Sequence, residues 1–136
     1  MTNWSEYVFS SLLVGGMVAI KDIYGLMILP EDPIFWVDVL TNIGAYSSSD
    51  LIVQYGINKH ISSQYIKDNM EVLGQPTIHG IINSVITTNV HNKDIMAQLA
   101  SFQNNHLNSY TNNFIDGFIN HILAQHISSP LVNMFN

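Results

Sequence analysis

The longest apolar run covers residues 8–29, where only Ser10, Ser11, Lys21 and Asp22 are neither apolar nor glycine. That pattern predicts a helix enclosed by protein or lipid. Ser11, Gly15 and Ala19 recur every four residues, so on a helix they form a ridge of small side chains against which another helix packs closely. Pro30, Glu31, Asp32 and Pro33 then predict a tight turn: Pro30 ends the first helix, Asp32 caps the next, and Pro33 takes its first position. Over 34–46, large side chains cover most of a helix circumference and leave a narrow polar strip of Asp38, Thr41 and Asn42. Residues 8–46 therefore read as an apolar helical hairpin.

The middle of the chain, 47–110, reads as short helices and loops. Ser47, Ser48, Ser49 and Asp50 predict a break, followed by an apolar run over 51–57 whose β-branched residues leave helix and strand open. Ser62 or Ser63 caps an amphipathic helix that Gly74 and Pro76 end. Ile78, Ile81, Ile82, Val85, Ile86 and Val90 follow helical spacing, although such residues favour strands. Asn92 or Asp94 caps a further helix to about Leu107, and Asn104, Asn105, Asn108, Asn112 and Asn113 mark a loop.

The last strong pattern lies in 111–127. Phe114, Ile115, Phe118, Ile119, Ile122, Leu123 and His126 share a stripe, with Asp116, Asn120, His121 and Gln125 away from it. That predicts an amphipathic helix whose apolar face meets a core or a partner. Ser128, Ser129 and Pro130 should stop it, leaving 128–136 as a docking tail. Phe114, Phe118, Ile122, Met134 and Phe135 are the expected interaction face.

Composition changes the picture in one respect. Charged residues are 10% of the chain, against about 25% in ordinary soluble domains. Fifteen Asn and eighteen Ile suit an AT-rich genome, yet there are four Lys and no Arg. A surface so poor in charge is weakly protected against association. Other subunits, copies of the chain itself and lipid are the expected partners. The net charge of -6 and the lack of Arg exclude a nucleic-acid partner, which needs a basic stripe. Residues 1–7 hold Glu6 and no Lys or Arg, so no cleaved signal peptide is expected.

Does 8–29 cross a bilayer? Its length suffices, but the charge-free part, 8–20, reaches only about 20 Å of a hydrocarbon core about 30 Å thick. A span with Lys21 snorkelling, a helix buried in protein and a re-entrant element all fit. Trp4, Tyr7 and Tyr24 suit an aromatic belt.

Motifs for chemistry are missing. Six His invite a metal site, but His121 and His126 are five apart, where zinc pairs on a helix need spacings of three or four. No hydrolase elbow or phosphate loop is present. No catalytic residue, cofactor or metal is expected, and Asp38 reads as a paired carboxylate.

The sequence thus predicts one all-α domain over 1–136, a compact bundle of five to seven short helices with its N-terminal hairpin in or against a membrane. The expected function is a non-enzymatic structural subunit of a large assembly, a minor capsid or membrane-associated virion protein, located in the virion or at a membrane. The alternatives are an accessory subunit of a membrane complex such as a respiratory assembly, and a soluble helical enzyme or ligand-binding protein with a pocket between Trp36, Tyr46, Tyr55 and Phe118.

Overall fold

The computed structural model describes residues 4–91, 107 and 109–135, with side chains over 8–90, 107 and 109–128. Helix α1 (Trp4–Ile20) continues through a π-helical turn, Lys21–Gly25. Helix α2 (Pro33–Leu51) continues through a second, Ile52–Ile57, into a 3-10 turn, Asn58–His60. Helices α3 (Gln64–Asn69) and α4 (Gln75–His91) are joined end to end by a third, Met70–Gly74, and α5 is Tyr110–Phe135. The described residues therefore form four helical rods and no strand, where the sequence predicted five to seven short helices.

Three predicted breaks run on as helix, each for a local reason. Ser47 Oγ donates to the Ile43 carbonyl at 3.2 Å and Ser49 Oγ to that of Tyr46 at 3.0 Å, so both hydroxyls are satisfied on the preceding turn. Pro76 lacks an N–H and crowds the carbonyl four residues back, and the widened turn Met70–Gly74 just before it supplies the room. At the far end α5 passes Pro130 and reaches Phe135, and Ser128, in the predicted stop, is buried. The first rod instead ends early, at Gly25, where the backbone turns through Met27 with φ 58 and the Ile28 amide bonds the Asp22 carbonyl at 2.7 Å. The helix predicted from Asn92 or Asp94 to Leu107 lies outside the described residues.

The rods close into a ring, with α1 on α2, α2 on α4, α4 on α5 and α5 on α1. The short links 26–32 and 58–63 make successive rods antiparallel. Ser63 caps α3 as predicted, its Oγ accepting from the Ile66 amide at 3.4 Å. The ridge of small residues lies against α2 of the same chain. Ser11 Oγ is 2.9 Å from Ser47 Oγ, and a Cβ added to Gly15 would come within 2.6 Å of Ile43 Cδ1. Ala19 packs on the apolar core formed around Val14, Val18, Ile28, Ile34, Phe35 and Val39.

The other half of the interior is polar, so of the two settings expected for the apolar face of the last helix, a core or a partner, its own core takes only part of it. On α5 the buried positions are Asn113, Gly117, His121, Ala124 and Ser128, while Ile115, Ile119, Leu123 and Ile127 are exposed. Phe114 and Phe118 are half-buried and stacked on each other at 6.0 Å, and Ile122 is half-buried; the side chains of Met134 and Phe135 lie outside the described residues. On α4, Gln75, His79, Asn83, Ser84, Thr87 and Thr88 are buried, and Ile81, Val85 and Ile86 point outward. The amphipathic helices exist with their faces reversed, because the α4–α5 half of the bundle is held by hydrogen bonds between small and polar side chains. Among the described residues exposed charge is confined to rod ends: Glu31 in the first link, and Lys59, Asp68 and Glu71 around the second link and the start of the third rod.

Candidate functional site: a buried hydrogen-bonded chain

Polar residues spaced four apart build the site. Asp38, Asn42, Tyr46 and Asp50 line the inner side of α2; Gln75, His79, Asn83 and Thr87 line that of α4; Asn113, Gly117 and His121 line that of α5. A four-residue interval keeps side chains on one face of a helix, so each rod contributes a polar stripe and the three stripes meet.

The bonds between them form one continuous chain. Asp50 Oδ1 accepts from Gln75 Nε2 at 2.9 Å, and Gln75 Oε1 lies 3.4 Å from His121 Nε2. His121 Nδ1 and His79 Nδ1 are 2.9 Å apart, and His79 Nε2 is 2.8 Å from Asn42 Oδ1. Asn42 Nδ2 donates to Asp38 Oδ1 at 3.0 Å, and Lys21 Nζ donates to Asp38 Oδ2 and to Asp116 Oδ2, each at 3.0 Å. The amide orientations are anchored by backbone. Asn42 Nδ2 also donates to the Asp38 carbonyl, and Asn83 Nδ2 donates to that of Asn113, which leaves Asn83 Oδ1 to accept from Asn42 Nδ2 and Thr87 Oγ1. Gln125 Nε2 donates to the Glu71 carbonyl and to Gln75 Oε1.

At the Lys21 end the electrostatics are unbalanced. One ammonium meets three carboxyl groups, since Asp22 Oδ1 also lies 3.5 Å from Lys21 Nζ. The Asp22 side chain is fully buried and neither of its oxygens has a hydrogen-bond partner. Buried charges require partners, and here a single lysine, on a π-helical turn of the kind often found at functional sites, serves all three. Lys21 had been read as a residue at a membrane boundary or within a core helix; it reaches inward and ties α1 to α2 and α5.

Among the described residues no group of three or more His, Cys, Asp or Glu is placed to hold a metal ion. The imidazole nitrogens at 2.9 Å are also too close for an ion between them, since two ligands on a tetrahedral zinc stand about 3.3 Å apart. Trp36, Tyr46, Tyr55 and Phe118 do not converge on a pocket. Trp36 and Tyr55 are exposed and separated along the second rod by about 28 Å, whereas Tyr46 is buried and stacks on His121 with ring centres 4.3 Å apart. A groove of about 510 Å³ beside Ile57, Ile66, Met70, Leu73 and Ile78 is apolar and lined by no carboxylate, imidazole or lysine.

Of the residues named from the sequence, Lys21, Asp38, Asn42, Asp50, Asp116 and His121 belong to this chain of bonds, though none is predicted there as part of a site. What joins His79, His121, Asn42, Gln75 and Asp50 is visible in the sequence only as a four-residue recurrence of polar side chains. Compared with family models, curated proteins and solved structures, the chain matches none of them.

Proposed function

We propose that this chain is an integral membrane protein whose four rods cross a bilayer together, and that it serves as a non-enzymatic subunit of a larger membrane assembly. The observation that carries this reading is the inversion of the bundle, polar within and apolar without. Val8, Leu12 and Ile20 on α1, Leu40 and Leu51 on α2, Ile81, Val85 and Ile86 on α4, and Ile115, Ile119 and Leu123 on α5 all face outward. A monomer in water rarely exposes so much contiguous apolar surface, whereas in hydrocarbon it is the favoured exterior and ionisable groups turn to the bundle interior.

Two further features agree. Exposed aromatics stand at both ends, with Tyr24, Trp36 and Tyr110 at one and Tyr55 and Tyr65 at the other, the positions of interfacial belts. The third rod has no charged residue over 72–90, which is about 28 Å of helix and close to a hydrocarbon core of about 30 Å. Val8–Gly25 alone among the described helices is apolar enough to pass as a span by hydropathy; in the others the polar interior stripe lowers the average without touching lipid.

The groups able to do chemistry are bonded to one another inside, which suits a subunit better than a catalyst. On this reading the assembly is a virus particle with a membrane, the setting expected from the residue usage, and the outward apolar faces meet lipid and neighbouring subunits.

The natural chain has no Cys, so single cysteines can map it. After carbonate extraction the protein is expected to stay with the membrane. Glu31→Cys and Lys59→Cys should react with an impermeant maleimide from opposite sides of a sealed vesicle, and Ile119→Cys should be shielded from both. A detergent-free soluble monomer, with all three cysteines labelled at once, would remove the membrane from this account.

A further inference from the structure

We propose that His79 and His121 form one proton-binding site, a pair of imidazoles that together take up a single extra proton from water. The number of hydrogens along the buried chain requires it, whether lipid or protein surrounds the bundle. From each end the bonds run inward with the same polarity. Asp50 takes an N–H of Gln75, so Gln75 presents its oxygen to His121 Nε2. Asp38 takes an N–H of Asn42, so Asn42 presents its oxygen to His79 Nε2. Neither amide can be turned over, since each is fixed by the further bonds already described.

Both Nε2 atoms thus face acceptors and call for a hydrogen. The Nδ1–Nδ1 contact at 2.9 Å calls for one more, because two bare imidazole nitrogens repel at that distance. Three hydrogens are needed, and two neutral imidazoles carry two. In the neutral pair His79 keeps its hydrogen on Nε2, His121 donates from Nδ1, and His121 Nε2 is left bare against the Gln75 oxygen. That is the one long contact of the chain, at 3.4 Å. An added proton closes it.

Reached from the pair along the bonds are Asp38 through Asn42, with Lys21, Asp116 and Asp22 beyond it, and Asp50 through Gln75; Tyr46 stacks on His121, and from the third rod Glu71 offers only its backbone carbonyl, to Gln125, its side chain being exposed. Asp22, Asp38, Asp50 and Asp116 are buried or half-buried, with Asp38 and Asp50 each one amide away from an imidazole. Burial opposes a lone charge, but here the charge is shared between two rings and covered by the Tyr46 face stacked at 4.3 Å, a cation–π arrangement.

The test is nitrogen-15 NMR of histidine-labelled full-length protein in lipid bilayers, taken from mildly alkaline buffer to the acid limit of native circular dichroism. The expected result is that His79 and His121 shift together in one step worth one proton for the pair, and that His121 Nε2 changes from a bare to a protonated nitrogen in that step. The His79→Gln and His121→Gln variants assign the signals, and each should abolish the shared step while the remaining ring stays neutral. Two outcomes overturn the proposal: His121 Nε2 staying bare to the acid limit, or the two rings titrating separately, one proton each. If a variant does not fold, the wild-type titration alone decides.

Discussion

Replacing Lys21 by methionine is expected to cost about 3 to 5 kcal/mol of stability, the loss typical when one partner of a buried ion pair is removed and the other is left behind. The size follows from the asymmetry of the cluster. Lys21 Nζ is the single cation serving Asp38 and Asp116 at 3.0 Å each and Asp22 at 3.5 Å, and it joins three rods. Its removal strands three carboxyl groups in the interior and releases the ties from α1 to α2 and α5. Unfolding of the purified protein in detergent, followed by circular dichroism, measures the loss. The prediction has a second arm. Adding Asp38→Asn and Asp116→Asn to Lys21→Met should recover most of it, since neutral amides need no counter-ion. A single variant as stable as the natural protein would show that the ammonium does not hold the rods together. A triple variant no better than the single one would place the cost in packing of the lysine stem.

The helices were largely legible and their sides were not. Periodicity found the apolar sets of 78–90 and 111–127 correctly as helical faces, and each is a face. It states which residues share a side, though, and says nothing about what that side meets. The stripe with Ile115, Ile119 and Leu123 fits a core or a partner equally well; in the fold these residues are exposed, and His121 takes the interior. The polar stripes Asp38–Asn42 and Gln75–His79–Asn83–Thr87 were as regular as the apolar ones. Low charge was the clue to reverse the sign, and it was read as a statement about partners alone. The breaks at 47–50 and 128–130 were overread for a related reason. Ser and Pro end helices when the freed backbone groups can be solvated, whereas here the hydroxyls of Ser47 and Ser49 bond back to carbonyls and the helix itself runs on through Pro130 to Phe135. The His–His contact between α4 and α5 joins residues 42 positions apart, which no local pattern encodes.

A second large effect is expected at Gly117, where α4 and α5 touch through backbone. A Cβ there would stand 3.0 Å from Gly80 Cα, 3.0 Å from His79 Cδ2 and 3.2 Å from Asn83 Cβ. From the other side, a Cβ on Gly80 would meet the Phe114 carbonyl oxygen at 2.8 Å. Backbone cannot swing aside as a side-chain tip can, so any side chain at 117 must part the two helices. Gly117→Leu should therefore lower stability by about 3 kcal/mol or more, beyond ordinary overpacking of about 1 to 3 kcal/mol, against a helix-propensity gain of about 1 kcal/mol. Two comparisons isolate the cause. At Gly44 nothing lies within 4 Å of an added Cβ, so Gly44→Leu has the same propensity gain and no clash, and it should leave stability unchanged or raised. At Gly15 the obstacle is the flexible end of Ile43, so Gly15→Ala should fall between. If the order of the three in detergent unfolding departs from 44, 15, 117, the close backbone approach is not what joins α4 to α5. A separation at 117 also draws His79 away from His121, so the same variant should lose the joint protonation step of the pair, linking the packing of two glycines to the chemistry of the interior.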